Sequence, residues 1–314
     1  ILAPREVKAL SAAEGFDAAS VAPVGPASHG DAYLRWLAGG HAGTMAYLER
    51  QVEERLDLSR FDPWARSVIC VAKRYGRGTP HPYPLPTGER EPERGKIARY
   101  AMEPDYHLTM TTALWGLLGR LALAAGRPVR GRAVVDAGPI LERELAQRAG
   151  HGWQGKHTLL IHPKLGSYIY LGELLVDLEL AVDEPWEADW CGSCRRCIEA
   201  CPTDAIRDGR VLEASRCIAY LTIEHKGDIL DALKPKMGGW LFGCDICQEV
   251  CPWTRKAAQE GDAGPGTFPL DEVLALDAAG FEARFGGTPV TRAKRAGLQR
   301  NARALLESRA HVIC

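Results

Sequence analysis

The chain has 314 residues, 46% of them hydrophobic and 25% charged, the proportions of a globular protein with a full core in one large or two ordinary domains. A formal net charge of −1 provides no global basic field for nucleic acid, so any such binding falls to a local patch. Ten cysteines and no apolar signal core at the N-terminus point to a reducing compartment, the cytoplasm. No stretch reaches the ~18 apolar residues of a membrane helix.

In chain order, residues 4 to 14 predict a short amphipathic helix ended at Gly15, and Phe16 to Pro23 a strand. Asp31 to Leu48 predicts two helical pieces broken at Gly39-Gly40, and Arg55 to Arg66 a polar connection. Ser67 to Ala72 is a buried strand in which Cys70 serves packing. Residues 75 to 96 form a long surface loop. A helix follows His107 and runs to Leu123, with Leu114, Leu117, Leu118 and Leu121 on its apolar face. Arg132 to Val135 is a strand with Asp136 at its end, and Pro139 to Ala149 a helix. A glycine-rich turn from Gly150 to Thr158 leads to a strand at Leu159 to His162. A further strand at Ser167 to Leu171 extends through Leu180. Residues 183 to 190 are a linker, and after Pro252 helices dominate. The C-terminal stretch is basic through Lys294, Arg295, Arg300, Arg303 and Arg309; on charge alone that is first a solvated helix face.

The strongest signal is Cys191-Gly-Ser-Cys194-Arg-Arg-Cys197-Ile-Glu-Ala-Cys201-Pro202, the C-x2-C-x2-C-x3-C-P run of bacterial-type ferredoxins. Its fourth thiolate ligates the other of two clusters. Cys244-Asp-Ile-Cys247-Gln-Glu-Val-Cys251-Pro252 repeats the ending, and Cys217 is the one cysteine between the runs. By this logic Cys191, Cys194, Cys197 and Cys251 hold one 4Fe–4S cluster, and Cys201, Cys217, Cys244 and Cys247 the other. Structural zinc prefers fours in paired C-x2-C units and fits less well. Disulfides within eleven residues would be strained.

Two clusters pass electrons singly to an acceptor that the cysteines do not name. No G-x-G-x-x-G follows a strand, no phosphate-binding G-x-x-x-x-G-K-[ST] is present, and the Asp-x-His-x-x-Gly pattern of one cobalamin-binding class is missing. Asp136 stands at a strand end, where α/β sites collect. It reads as a helix cap or, if buried beside apolar surface with a raised pKa, as a proton donor.

With these residues laid out, the chain resembles the epoxyqueuosine reductase family from about Arg55 to Ala304. The resemblance rests on Arg99-Tyr-Ala with Asp105-Tyr-His107, on Val-Val-Asp136-Ala-Gly-Pro-Ile-Leu-Glu-Arg, and on Gly152-Trp-Gln-Gly-Lys156-His-Thr with Leu171-Gly-Glu173. It rests also on Cys191 to Ile206, Cys217 to Lys226, and Gly243 to Trp253. It implies a cobalamin- and iron–sulfur-dependent reduction of epoxyqueuosine to queuosine at the wobble position of tRNA, with Asp136 as proton donor and a flavodoxin, ferredoxin or similar electron donor. The implied fold is α+β in three parts: a nitroreductase-like cobalamin-binding α/β domain over 1–182, a ferredoxin-like double-cluster domain over 183–256, and a short helical, HEAT-like region over 257–314. Implied cobalamin contacts are Arg55, Arg99, Tyr100, Ala101, Asp105, His107, Asp136, Lys156, His157, Thr158, Leu171, Ala219 and Asp245. Implied tRNA contacts are Glu224, Lys226, Lys294, Arg295, Arg300 and Arg303. The chain departs from the family at His157, often Asn, and Ala219, often Ser, and its helical tail is short. Nothing demands more than a monomer. The rival readings are a reductive dehalogenase-like corrinoid enzyme acting on a small molecule, and a plain electron carrier.

Overall fold

The computed structural model describes residues 2–76, 93–259 and 262–310, and, of Arg309 and Ala310, the backbone alone. Most of the expected 75–96 loop therefore lies outside the described residues, as does the Arg309 side chain.

Mixed helices and strands are arranged around a four-stranded and a three-stranded sheet, with two two-stranded sheets beside them among the described residues. In chain order the strands are β1 (Ala18–Pro23), β2 (Ser67–Arg74), β3 (Arg94–Ile97), β4 (Gly131–Val134), β5 (Trp153–Gln154), β6 (Leu160–Ile161), β7 (Ile169–Val176), β8 (Ile206–Arg207), β9 (Val211–Leu212), β10 (Trp240–Phe242) and β11 (Gly266–Pro269). The larger sheet has the order β1-β2-β7-β4, antiparallel throughout. Its central strands are continuous apolar runs because both faces are covered. Alternation sends Ile69, Val71, Leu174 and Val176 to one core, beneath helices Pro4–Ala13 and Tyr106–Ala125. It sends Val68, Cys70 and Leu175 to the other, with Leu145 of helix Glu142–Arg148. Cys70 is a packing residue, as its run implied, fully buried with its thiol facing the Leu145 carbonyl.

Helix Tyr106–Ala125 starts where the Asp105 carboxylate accepts the His107 N–H at 3.0 Å and ends at Gly126, φ 65°. By length and mean hydropathy, 1.3, this helix could cross a membrane, which corrects the expectation that no stretch is long enough. Here Met110, Leu114, Leu117 and Leu121 are packed in the core.

The three-stranded sheet, β10-β3-β11, joins the halves. β3 from the first half pairs in parallel with β10 and antiparallel with β11. Onto it pack the C-terminal helices through Leu270, Val273, Phe281, Phe285, Leu298 and Leu305. Asn301, fully buried, donates to the carbonyls of Thr222 at 2.8 Å and Leu241 at 2.9 Å. These bonds tie the last helix, Lys294–Ala310, to the segments around Cys217 and Cys244.

The sequence missed several short elements. Arg55 to Arg66 is no mere connection: it holds parts of helices Val52–Leu56 and Leu58–Phe61, split by the Asp57 cap. β3 occupies the end of the expected loop, and β11 interrupts the expected helical tail. Elements of two to five residues carry too little periodicity to register.

Leu117→Ala should empty a fully buried site and cost about 2–5 kcal/mol, whereas Leu123→Ala, at a position 84% exposed, should stay within about 0.5 kcal/mol. Thermal unfolding of the two variants side by side checks the assignment of helix faces.

Candidate functional site

The cysteine runs fold into tight turns and one-turn helices, Arg196–Glu199 and Ile246–Glu249, which place neighbouring thiols on one side of each loop. Cys191, Cys194, Cys197 and Cys251 line one small pocket together, with Lys156 and His157 on its wall. Among the described residues no three His, Cys, Asp or Glu side chains converge on one ion-sized point. Thiols that ring a pocket suit a cluster better than a single zinc. Cys197 is pushed up to about 11 by burial and then by the surrounding Cys191, Cys251 and Cys194. Burial likewise raises Cys244, whose thiol neighbours are Cys217 and Cys201, and Cys247, which faces Cys244 and Cys217. Protonated thiols so costly to ionise alone fit groups that a positively charged iron cluster would hold as thiolates. The structure thus brings the cysteines together in the two sets that the spacing implied, with Cys201 and Cys251 crossed over.

Four tryptophans that the sequence reading passed over pack against the first set. Trp153 sits 5.8 Å from Trp186 and 5.1 Å from Trp253, ring centre to ring centre, and Trp190 stacks on Trp253 at 5.2 Å. The Trp153 Nε1–H donates to Cys191 Sγ at 3.4 Å, a bond that favours thiolate over thiol.

Asp136 follows β4 in a left-handed conformation, φ 57°, imposed by its surroundings. Its N–H donates to Glu142 Oε1 at 2.5 Å. Its Oδ2 accepts the Tyr106 hydroxyl at 2.9 Å and faces His107 Nε2 at 3.4 Å. His107 is anchored from behind by Asp105, Nδ1 to Oδ1 at 2.7 Å. Asp136 is no helix cap, and the expected rise of its pKa is reversed. The hydrogen bond from His107 outweighs burial, and Tyr106 adds to it, so the carboxyl titrates below its usual range. His107 is raised to about 8, first by Asp136 and, against burial, by Asp105. Near neutral pH the pair therefore carries one proton, resident on the imidazole.

Asp136 is 60% and His107 40% exposed. Tyr47, 39% exposed, and Arg55, whose Nη1 donates to Gly138 O at 3.3 Å, border the same face. Polar and aromatic groups from separate segments thus meet at one exposed face. Tyr100 and Ala101 lie below, packed in the core, with Tyr100 against Tyr106 at 6.2 Å. Tyr106 stacks on Tyr170 at 4.6 Å, while Tyr170 meets Tyr75 at 4.6 Å and Tyr75 meets Tyr168 at 5.6 Å with their rings tilted. This aromatic line ends where Arg99 covers the Tyr168 ring at 4.7 Å.

The remaining sequence candidates divide. Asp245, 1% exposed, accepts the Arg99 N–H at 2.9 Å. Burial raises it to about 7, against the Arg99 bond and charge. The Arg99 guanidinium donates to Ala263 O at 2.9 Å and lies 4.0 Å from the Asp245 and 3.8 Å from the Glu249 carboxylate. Lys156 is turned to the first cysteine loop, donating to the carbonyls of Gly192 at 2.6 Å and Cys194 at 2.9 Å. His157 is buried and lowered to about 4, chiefly by burial, so it is neutral. Thr158 is left-handed at φ 69°, with Arg143 donating to its carbonyl at 2.7 Å. Leu171 and Ala219 are half-buried.

The basic C-terminal helix forms one wall of an open groove of ≈ 700 Å³, with Lys226, Lys294, Arg300 and Arg303 on its lining. Arg300 is occupied: it donates to the carbonyls of Leu221 at 2.7 Å, Gly227 at 2.8 Å and His225 at 2.5 Å. It serves the fold, while exposed Lys226, Lys294 and Arg303 serve the surface. Arg295 donates to Leu276 O at 3.1 Å. Glu224 is held by Arg292 through two bonds of 2.9 and 3.1 Å. Tyr106, Glu142 and Glu173 stood inside quoted motifs without a role, and neither they nor Arg292 stand out in the sequence, since nothing in spacing shows a fold-dependent contact.

Comparison with known proteins gives two family models. One, described as a 4Fe-4S double cluster binding domain, matches residues 190–254; the other, described as Epoxyqueuosine reductase QueG, DUF1730, matches 55–137. The epoxyqueuosine reductase of Gloeobacter violaceus is 36% identical over 96% of this chain and 95% of its own length. That of Cyclobacterium marinum is 43% identical over 70% of this chain and 68% of its own. An epoxyqueuosine reductase solved with a tRNA-Tyr epoxyqueuosine-modified stem loop superposes with TM-score 0.83 and 29% identity, over 96% of this chain and 80% of that one. The Bacillus subtilis enzyme, solved with its catalytic aspartate loop swung out of the active site, gives TM-score 0.83 and 28% identity over the same shares. A chain with these cysteines and this fold, matched from end to end by such relatives, belongs to the epoxyqueuosine reductase family of oxidoreductases.

Proposed function

We propose that the protein reduces epoxyqueuosine to queuosine at the wobble position of tRNA, with Asp136 as the proton donor. The observation that carries this reading is the Asp136–His107–Tyr106 constellation, exposed on one side, in a chain of this family. A relative of this fold is described with a catalytic aspartate loop, and Asp136 stands on such a turn. When bound, two 4Fe–4S clusters on the two cysteine sets and cobalamin over the Asp136 face would supply one-electron transfer and a low-valent cobalt reductant. Arg55, Tyr100, Asp105, His107, Thr158, Leu171 and Ala219 are the residues we assign to hold cobalamin. Lys156, His157 and Asp245 we assign to the borders of the cysteine loops.

The chain's own residues manage the proton. Asp105 fixes the His107 ring, His107 keeps a proton near neutral pH, and Asp136 takes that proton across the 3.4 Å contact with His107 and passes it to the departing epoxide oxygen. Tyr106 holds the accepting carboxylate oxygen in place. We assign residues 1–182 to a nitroreductase-like cobalamin domain, 183–256 to a ferredoxin-like one, and 257–314 to a HEAT-like helical region that contacts tRNA. The protein acts as a cytoplasmic monomer with a flavodoxin- or ferredoxin-type donor. Support for a tRNA substrate comes from the stem-loop complex of a relative and from the basic groove beside the last helix.

Asp136→Asn should retain iron for two clusters and stoichiometric cobalt while losing most turnover; near-normal turnover would remove Asp136 as the acid. Because the raised imidazole loses its proton as pH climbs through about 8, turnover should fall across that range, and a rate profile from pH 6 to 9.5 checks it. Lys226→Ala, Lys294→Ala and Arg303→Ala should each reduce the salt slope of tRNA binding by about 1. Arg300→Ala should lower the melting temperature instead, and binding titrations at several salt concentrations separate the two classes.

A further inference from the structure

Glu173 is a carboxyl that the reaction as read above does not use. It lies on β7, 0% exposed, across the ladder from Cys70 on β2 and Val134 on β4. Neither of its oxygens meets an N–H or O–H donor among the described residues. The polar group against it is another acid, Glu142. Two carboxyls in contact hydrogen-bond only if one keeps a proton. Glu142 in turn grips the Asp136 N–H at 2.5 Å, at a residue whose left-handed backbone persists only where its surroundings hold it.

We infer that Glu142 and Glu173 share one buried proton and together clamp the Asp136 turn, Glu142 by holding its N–H and Glu173 by anchoring Glu142 to the central strand. The inference rests on the reading of Asp136 as proton donor, and both glutamates are positioning residues for it. Burial pushes both acids up, Glu142 to about 8 with Asp136 as the second cause, and Glu173 well above the carboxylate range with Glu142 as the second cause. The other charged or titratable groups around the pair are Asp136, Arg143, His107 and Cys70. An acid raised in the fold stabilises it fully below the unfolded value, and that contribution is lost as pH rises through the folded one. For Glu142 the loss therefore runs from about pH 4.5 to about pH 8, and for Glu173 it runs upward from about pH 4.5.

Thermal midpoints of the reconstituted protein and Glu173→Gln, from pH 5 to 9, test this. The neutral amide donates to Glu142 at every pH, so the variant should gain at least about 2 °C on the parent between the two ends. Hydrogen exchange over residues 134–138 should quicken about tenfold in Glu142→Ala, with kcat falling and KM kept, and Glu142→Gln, whose amide oxygen still accepts the N–H, should restore protection. A thermal difference that does not change with pH, or unchanged exchange in Glu142→Ala, overturns the inference. If Glu173→Gln does not fold, Glu142→Gln carries the same pH comparison. Failure of the Asp136 assignment reads differently: Asp136→Asn turns over normally while the pH-dependent thermal difference persists.

Discussion

The chemistry of the first half depends on β7 being buried on both faces. Because alternate side chains point to opposite sides, one strand delivers Tyr170 to the aromatic line under His107 and Glu173 to the acid beneath Asp136. Its other partner, β4, ends one residue before Val135, and the turn that follows presents Asp136. Neither face tolerates water, so every polar group carried there must find a partner or keep a proton. That requirement gives a set of tyrosines and acids with displaced pKa values around one exposed carboxylate.

A second constraint joins the halves. The terminal cysteine of each run sits with the other run's thiols, so segments some fifty residues apart in sequence, at 191–201 and 244–251, must interleave. The parallel pairing of β3 with β10 and the buried Asn301 serve that end. Lys156 reaches across to the Cys191 loop while Thr158, two residues on, accepts from Arg143 of helix Glu142–Arg148. The glycine-rich turn thereby touches both cysteine loop and proton-handling site, which couples the position of one to the other.

Charge is distributed on the same economical plan. With a net charge of −1, the chain exposes Lys226, Lys294 and Arg303 along one groove and commits Arg300 inward. Arg300 shows why a basic residue in a basic helix is not by itself a phosphate contact: it donates to the carbonyls of Leu221, His225 and Gly227 at the end of helix Ile218–Ile223 and to the Asn301 side-chain oxygen. Sequence alone ranked it with its neighbours because charge is visible in sequence and hydrogen-bond commitment is not.

The sequence by itself determined the two cysteine sets, the buried strand around Cys70, the long core helix after His107 and the place of Asp136 just past a strand end. Each of these is written in local spacing or periodicity. Its error on the pKa of Asp136 has a clear source: Asp136 is exposed, and the bonds from His107 and Tyr106 that lower its pKa come from a helix that meets β4 only in the fold. The tryptophan cage, the short strands β3 and β8 to β11, and the Glu142–Glu173 contact were decided by tertiary structure alone. They depend on which distant residues pack together, and no interval along the chain encodes that.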